Sequence, residues 1–362
     1  MGSGDIAEEL IDSLDDDALD DLFDGLTEDQ LSVFGGRNVI SVLKGLLSGN
    51  AGLDFSDVMS FVLGAIGSSL AALVALFAVT FGVAVVCSAT DALSGGRHSE
   101  SVGKAVRIAC LVCVLAVAGT GMTAMFTTCA ETLEALGAQM NVLLPPVLTV
   151  MAGTGGAGSA AVFSPVIAVI TGGLFNLITS VLVPMLVAAF VFGAVGCVTG
   201  GNGMDKMSSF MHDSVKWMFG IGFFLLTAVM SVQGVTASVT DNLGVRGAKF
   251  AIGKYVPVIG GYMSEGFNLI VSGGIAVKNA LGYTALVLLL ATLLPVVLQI
   301  AVFSLCLKLS AAVTEALGDK RMGDMLAGMS KTVTLTGGVM FGAGFLYFVF
   351  VLILMATGRV FL

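Results

Sequence analysis

VFSPVIAVITGGLFNLITSVLVPMLVAAFVFGAVGCVT, residues 162–199, contains no charged side chain. About 20 consecutive apolar residues are enough for a helix to cross the ~30 Å hydrocarbon core of a bilayer. This stretch is longer than one straight crossing requires. It also carries Pro165 and Pro184, each of which removes a helical hydrogen bond. The stretch therefore predicts a bent or broken helical segment inside a membrane.

The rest of the chain has the same apolar character. Hydrophobic residues make up 56% of the 362 residues and charged residues 11%, with a mean hydropathy of +1.00. A soluble domain carries about 25% charged residues. Further apolar runs lie at residues 60–88, 105–128, 217–239, 284–308 and 334–357. We therefore predict an all-α integral membrane protein with about six net transmembrane crossings, and the 48 glycines suit helices that pack closely or break.

The beginning of the chain is acidic. Twelve of the 25 Asp and Glu residues lie between positions 5 and 29, where no Lys or Arg occurs. Apolar residues recur there at helical spacing, at Ile6, Leu10, Leu14, Leu22 and Leu26. We predict a short acidic amphipathic head at 1–35, which is either a solvated helical cap or a partner-docking helix. An amphipathic connector at 36–59 and a polytopic membrane domain at 60–362 follow.

Positive charges indicate which loops face the cytoplasm. Lys and Arg are enriched in the cytoplasmic loops of membrane proteins. Three connections between the apolar runs carry them, with Arg97, Lys104 and Arg107 in the first, Lys206 and Lys216 in the second, and Lys308, Lys320, Arg321 and Lys331 in the third. With these loops inside, both termini and the acidic head are predicted to be extracytoplasmic.

The chain matches itself at a shift of 111 residues, which indicates an internal duplication. The matched positions include Pro146 with Pro257, and Pro184 with Pro295. Because proline interrupts the hydrogen bonding of a helix, these four prolines are the candidate helix breaks. We predict two parallel repeats at roughly 104–215 and 216–331, flanked by helices at 60–88 and 334–357.

Two apolar segments, 141–156 and 250–280, are interrupted by proline and glycine. We predict that each is a re-entrant or interfacial segment. In transporters, paired interrupted segments in matching repeats mark the translocation site. The alternative is that both are interfacial helices with one hydrophobic face.

A cationic stretch, VTDNLGVRGAKFAIGKYVPVIGG at 239–261, overlaps the second interrupted segment. Its cations Arg246, Lys249 and Lys254 fall on the predicted extracytoplasmic side, against the usual bias. They anchor the segment to lipid phosphates, contact an acidic partner surface such as the head of a neighbouring copy, or ring a pore mouth and attract anions. All three residues are therefore candidate pore, partner or interface residues.

Four further polar residues are candidates of the same kind. Lys278 is predicted to extend its amine to the membrane surface, or otherwise to pair or to face water. Gln233 ends the fourth apolar run and is a candidate for hydrogen bonding between helices. Gln299 is expected to satisfy a carbonyl freed at the preceding proline or to face a cavity, and Asp241 is the acid of the cationic stretch.

The sequence carries no signature of catalysis. Five of the six cysteines lie in or at the ends of apolar segments, where Cys behaves as a small hydrophobe. His98 and His212 are predicted to lie in polar loops without further ligands nearby. No nucleophile–base pair, metal-ligand cluster or phosphate-binding loop is visible. We therefore expect no enzymatic activity, no cofactor, no metal and no nucleic-acid partner.

Several blocks of the sequence resemble one known family. They are SVQGVTASVTDNLGVRGAKFAIGKYVPVIGG at 231–261, GGIAVKNALG at 273–282, LPPVL at 144–148, GGAGSAAVFSPVI at 155–167 and LKLSAAVTEALGD at 307–319. The first block holds Gln233, Thr240, Asp241, Arg246, Lys249, Phe250, Gly253, Pro257 and Gly260 without interruption. In these blocks the chain is similar to the stage III sporulation protein AE family of endospore-forming bacteria.

The resemblance implies a location and partners. Members of this family belong to the mother-cell membrane around the forespore and to a channel or secretion-like complex. The expected partners are the other membrane proteins of the same operon, including ring-forming subunits, a cytoplasmic secretion-type ATPase, the lipid bilayer and further copies of the chain. Members begin with a signal peptide, so one is expected to precede the acidic head.

Two other functions stay open. One is a secondary carrier for a small solute, and the other is a membrane scaffold that recruits partners. The near absence of Asp and Glu from the apolar runs counts against a carrier. The interrupted segments count against a pure scaffold.

Overall fold

The structure, a computed structural model, describes residues 64, 67, 74, 77–83, 85–86, 100–199, 202–255 and 260–356. Side chains are described for the short pieces before residue 87 and for 105–153, 156–170, 172–199, 203–232 and 271–356. The described residues are helical except for a turn at 317–319, and no strand occurs among them. The predicted head at 1–35 and connector at 36–59 lie outside the described residues.

From residue 100 onward, six α-helices follow one another along the described chain. They are α1 (Glu100–Met151), α2 (Ala157–Ala168), α3 (Val183–Thr199), α4 (Asn202–Tyr255), α5 (Gly260–Ala316) and α6 (Lys320–Ala356). A π-helical turn, Ala152–Gly156, joins α1 to α2, and two more, Val169–Phe175 and Ile178–Leu182, lie between α2 and α3. The α5–α6 turn is tight because Gly318 adopts φ +94° and the Asp319 carboxylate accepts the N–H of Met322 at 3.1 Å.

Among the residues that the structure describes, five helical segments are long and apolar enough to cross a membrane. They are Ala105–Met151, Ala157–Thr199, Gly203–Val232, Val271–Ala316 and Lys320–Ala356. Each exceeds the ~20 residues that one crossing needs. The all-helical membrane class predicted from composition is confirmed, whereas the crossing number of about six and the internal repeat stay predictions.

Helices α1 and α5 pack against each other in opposite directions. Gly121 of α1 faces the ring of Phe303, with only 3.1 Å between a Cβ at that position and the ring. Further along, Gln139 Nε2 donates to Thr292 Oγ1 at 2.8 Å, with both side chains buried. Residue numbers therefore increase along α1 in the direction in which they decrease along α5. This antiparallel packing determines which residues of the two helices lie at the same level, that is, at the same depth in the bundle.

Helices α3, α4 and α6 form the other side of the bundle. Helix α4 returns along α3, since Ser208 Oγ donates to the carbonyl of Ala189 at 2.7 Å. It runs parallel to α6, because His212 bonds Thr332 and Phe223 stacks on Phe345 with ring centroids 6.2 Å apart. The ends of α3 and α5 and the starts of α4 and α6 consequently lie at one end of the bundle. Two of the three loops that the charge pattern predicts to be cytoplasmic meet there.

Close packing of α5 and α6 depends on glycines of α6. A Cβ at Gly337 would lie 3.0 Å from Ile300 Cγ2, and one at Gly344 would collide with Leu293. The neighbouring Gly338 faces open space. Lipid tails are as apolar as the side chains, so no hydrophobic effect drives helices together inside a membrane. Close approach of the backbones, which improves van der Waals packing, is therefore a main source of helix association there.

The predicted break at Pro146 is wrong, because α1 continues through it to Met151. Pro295 likewise lies inside α5. A proline removes one backbone hydrogen bond, but packed neighbours re-satisfy the backbone of a membrane helix, so the helix can continue. The α-helical geometry instead changes at the π-helical turn Ala152–Gly156, where Gly156 adopts φ −92° and ψ 32°.

The other two candidate breaks have different outcomes. Pro184 is the second residue of α3, and α3 begins directly after the π-helical turn Ile178–Leu182. Pro257 lies outside the described residues. The backbone on either side of it belongs to α4 up to Tyr255 and to α5 from Gly260. The re-entrant or interfacial placement of 141–156 and 250–280 stays a prediction.

Candidate functional site

A polar pocket of about 170 Å³ lies between α3, α4 and α6, near the end of the bundle where α4 and α6 begin. We name it the His212 pocket. Asp205, Ser208 and His212 line it from α4, Asp324, Lys331 and Thr332 line it from α6, and Phe190 and Cys197 line it from α3. The pocket thus combines two carboxylates, one amine, an imidazole and hydroxyls with an apolar wall.

His212 forms the buried base of the pocket. Its side chain is 3% exposed, and its Nε2 lies 2.8 Å from Thr332 Oγ1. The ring also hydrogen-bonds the backbone of Ser208. Sequence reasoning placed His212 in a polar loop, and that placement is wrong because α4 begins ten residues earlier, at Asn202. The ring is held between two helices and fixes α4 against α6.

Glycines shape the walls of the pocket. A Cβ at Gly196 would collide with the Asp205 carboxylate, and one at Gly193 would come within 3.2 Å of Ser208 Oγ. These glycines therefore allow α4 to approach α3. Gly328 also lines the pocket, but a Cβ there would meet nothing within 4 Å. A larger side chain at Gly328 has room to enter the pocket without displacing the backbone.

A second feature is the exposed face of α1. Its members recur every three or four residues along the helix, which places them on one side. We name this set the α1 polar face, and it consists of Cys113, Ala116, Thr120, Thr123, Thr127, Glu131 and Glu134, all exposed. Among the described side chains of α1, the exposed large apolar ones are Ile108 and Val112. Beyond Val112 the exposed face is small, hydroxylic or acidic.

The contacts with α5 fix the level of the two acids. Glu131 and Glu134 lie between Gly121, which faces Phe303, and Gln139, which bonds Thr292. On α5 this interval is bracketed by two exposed leucines, Leu305 at 56% and Leu290 at 55% exposure. Within the described part of the chain, neither carboxylate has an ion-pair partner. The two carboxylates therefore lie at a depth between those of two side chains that suit lipid.

Five of the candidate residues lie in the part of α4 whose side chains are not described. The backbone of Gln233, Asp241, Arg246, Lys249 and Lys254 belongs to α4, and their side chains lie outside the described residues. Their proposed contacts with lipid, partners or a pore stay predictions.

The structure locates the other two polar candidates. Lys278 is 2% exposed within α5, so the interpretation that its amine extends to the membrane surface is wrong. Burial is the outcome because the surrounding helices cover this part of α5, as the neighbouring Leu281 and Val277 are fully buried too. Gln299 is exposed on α5, four residues after Pro295. The structure brings neither residue into the His212 pocket.

Sequence reasoning missed the residues that the structure brings together. Glu131 and Glu134 carried a signal, because two acids three residues apart stand inside an otherwise apolar segment. His212 and Thr332 carried no such signal, since they are 120 positions apart in the sequence and only the fold brings them into contact. In the described part of the chain, no group of three or more His, Cys, Asp or Glu side chains gathers in a metal-binding arrangement.

Comparison with known proteins identifies relatives of the chain. The sequence profile of the stage III sporulation protein AE family matches residues 37–358. The protein of Bacillus subtilis (strain 168) named stage III sporulation protein AE is 26% identical over 203 residues, covering 56% of this chain and 51% of that relative. The match thus spans about half the length of the curated relative. No solved structure matches the chain.

Proposed function

The chain belongs to the stage III sporulation protein AE family, and from that premise we propose that it is a membrane subunit of a sporulation assembly that contributes to a conduit between mother cell and forespore. Its proposed location is the mother-cell membrane around the forespore, with both termini extracytoplasmic. The family match supports the role in sporulation, and the five long apolar helices support the membrane location.

The α1 polar face is the observation that carries the conduit proposal. A helix surrounded by lipid exposes large apolar side chains, as α6 does with Phe341 at 61% exposure. The α1 polar face instead presents the hydroxyls of Thr120, Thr123 and Thr127, followed by two carboxylates. An ionised carboxylate is costly in hydrocarbon and marks an aqueous path or a polar partner. We assign this face to a water-filled path through the assembly.

The threonines are suited to such a face. Thr120, Thr123 and Thr127 each donate their hydroxyl to a carbonyl of their own helix at 2.8 to 2.9 Å. Each oxygen keeps acceptor capacity, since a hydroxyl carries two lone pairs besides its donor. The face therefore offers weak acceptors to water or solute without leaving a donor unsatisfied.

The proposed partners rest on the family match and on the exposed position of the α1 polar face. The described part of one copy leaves the α1 polar face exposed on its outside, and we infer that further copies or other subunits close the path. The proposed candidates are copies of this chain, the other membrane proteins of the same operon with their ring-forming subunits, and the secretion-type ATPase on the cytoplasmic side.

Cysteine accessibility tests the proposal. In a background with all six cysteines replaced by serine, Thr127→Cys and the control Leu290→Cys are each exposed to a membrane-impermeant methanethiosulfonate in the assembled complex. We expect Thr127→Cys to react about tenfold faster, because the reactive thiolate forms only where water reaches it. Equally slow reaction at both positions would refute the water-filled path.

A secondary carrier is the second candidate, and Glu131 and Glu134 favour it. The argument from sequence against a carrier was the lack of carboxylates among the apolar runs. In the structure both acids lie on an exposed helix face, at a depth between those of the exposed Leu305 and Leu290, which counts for a carrier. Glu131→Gln with Glu134→Gln separates the two functions in proteoliposomes. A carrier coupled to protons or sodium loses concentrative uptake, whereas a conduit keeps downhill flux and changes its preference for charge.

A further inference from the structure

We propose that the His212 pocket binds the headgroup of a phospholipid that carries a free ammonium group, which is the chemistry of phosphatidylethanolamine. This proposal goes beyond the conduit and rests on other residues. It requires a pocket of headgroup size, groups for both charges of a zwitterion, and an adjoining surface for acyl chains.

The size of the pocket fits a small polar group. A water molecule has a share of about 30 Å³ in the liquid, so the volume of about 170 Å³ holds about five to six such groups. An ethanolamine unit has three heavy atoms and a phosphate has five, so the ammonium end enters while the phosphate stays at the rim. Phe190, Met325 and Met329 line the apolar wall that the two methylenes would contact.

The charges of the pocket match a zwitterion. Asp205 and Asp324 project from two different helices, and within the described part of the chain neither forms an ion pair. Both carboxylates line the pocket together with Cys197. An ammonium group has three donors for these acceptors. Lys331 supplies a cation for the phosphate, and charge-assisted bonds of this kind are stronger than neutral ones.

The surface beside the pocket suits acyl chains. Met204 and Met207 of α4 are exposed within two residues of lining positions. Val191 and Val195 of α3 are exposed in the same way. Basic pockets between membrane helices bind anionic lipid headgroups, and the two carboxylates here favour an ammonium-bearing headgroup instead. The predicted sidedness of this end assigns the lipid to the cytoplasmic leaflet.

Native mass spectrometry of the purified full chain tests the proposal. The probes are dioctanoyl phosphatidylethanolamine and dioctanoyl phosphatidylcholine at equal concentration, because choline lacks N–H donors but shares phosphate and acyl chains. We expect about tenfold more bound phosphatidylethanolamine, since a loss of one charge-assisted bond amounts to about one decade in affinity. Equal binding of the two lipids would overturn the proposal.

Matched variants locate the site. Asp205→Asn and Asp324→Asn are expected to abolish the preference, while Asp213→Asn keeps it, because Asp213 pairs with Lys216 outside the pocket at 3.1 Å. Gly328→Leu is expected to fill the pocket and abolish the preference, while Gly338→Leu, which also faces open space on α6, keeps it. A preference that survives Gly328→Leu, or that Asp213→Asn removes equally, contradicts the assignment.

Soluble O-phosphoethanolamine distinguishes a lipid from a free solute with the same headgroup. We expect it to displace the lipid only at a concentration about a hundredfold higher, because it makes no contact with the apolar surface beside the pocket. Equal potency would refute the assignment to a lipid. None of these outcomes depends on the water-filled path, so the two proposals fail independently.

Discussion

Replacing Gly337 by alanine tests whether close packing of α5 and α6 holds the bundle together. The added methyl would lie 3.0 Å from Ile300 Cγ2, closer than ordinary van der Waals contact. Ile300 has a β-branched side chain with one strongly preferred rotamer in a helix, so it yields little. Such overpacking costs about 1–3 kcal/mol. Alanine also gains up to about 1 kcal/mol over glycine in helix propensity.

Gly338→Ala is the matched control, because it receives the same propensity gain and its methyl meets nothing within 4 Å. The difference between the two variants isolates the contact with Ile300. We expect Gly337→Ala to be less stable than Gly338→Ala by about 1–3 kcal/mol. Reversible unfolding in mixed micelles of dodecylmaltoside and SDS, followed by far-UV circular dichroism, measures the free energy of unfolding.

A double-mutant cycle completes this test. Ile300→Ala removes the Cγ2 atom that faces Gly337, so Gly337→Ala should cost less in the Ile300→Ala background than in the natural one. Contacting residues couple in this way, by about 0.5–3 kcal/mol. Identical stability of Gly337→Ala and Gly338→Ala, or strict additivity with Ile300→Ala, would refute the packing argument.

Three further outcomes are expected. Thr332→Val removes the partner of His212 Nε2, so the free energy of unfolding should fall by about 0.6–2 kcal/mol in the same micelle assay. Asp319→Ala removes the cap at the start of α6 and should cost about 0.5–2 kcal/mol, whereas Asp319→Asn should cost less. In the folded protein in detergent, a maleimide should modify the exposed Cys113 before the buried Cys129, as peptide mapping would show; the reverse order would contradict the placement of the α1 polar face.

The sequence was informative where one physical signal dominates. Composition and the length of uncharged runs predict membrane helices, because hydrocarbon admits no other open backbone structure. The loops between α3 and α4 and between α5 and α6 were predicted to face one side, and the structure brings them to one end of the bundle. Both predictions depend on local features of the sequence, and neither requires knowing which residues contact each other in the fold.

The helix breaks predicted at two prolines were wrong for a physical reason. A proline in a soluble helix leaves an unsatisfied carbonyl, so Pro146 and Pro295 were expected to end helices. In a packed membrane helix the cost is smaller than that of exposing more backbone to lipid, and both helices continue. The geometry changes instead in the glycine-rich turn Ala152–Gly156.

The candidate sites were beyond the reach of the sequence because they depend on long-range contacts. The His212 pocket needs the turn that folds α4 back along α3 and the parallel run of α4 beside α6. The level of Glu131 relative to α5 depends on Gly121 and Gln139 as contact points. Neither relationship is encoded in the spacing of residues along one helix.

The three-residue turn at 317–319 constrains how α5 and α6 are inserted into the membrane. Because the link between α5 and α6 is so short, α6 cannot stay on the opposite side of the membrane while α5 crosses it. Lys320 and Arg321 stand directly after the turn and resist translocation. Helix α5 would therefore remain beside the insertion machinery until α6 follows it, so that the two helices enter the membrane as a hairpin and the contacts of Gly337 and Gly344 form as α6 is inserted.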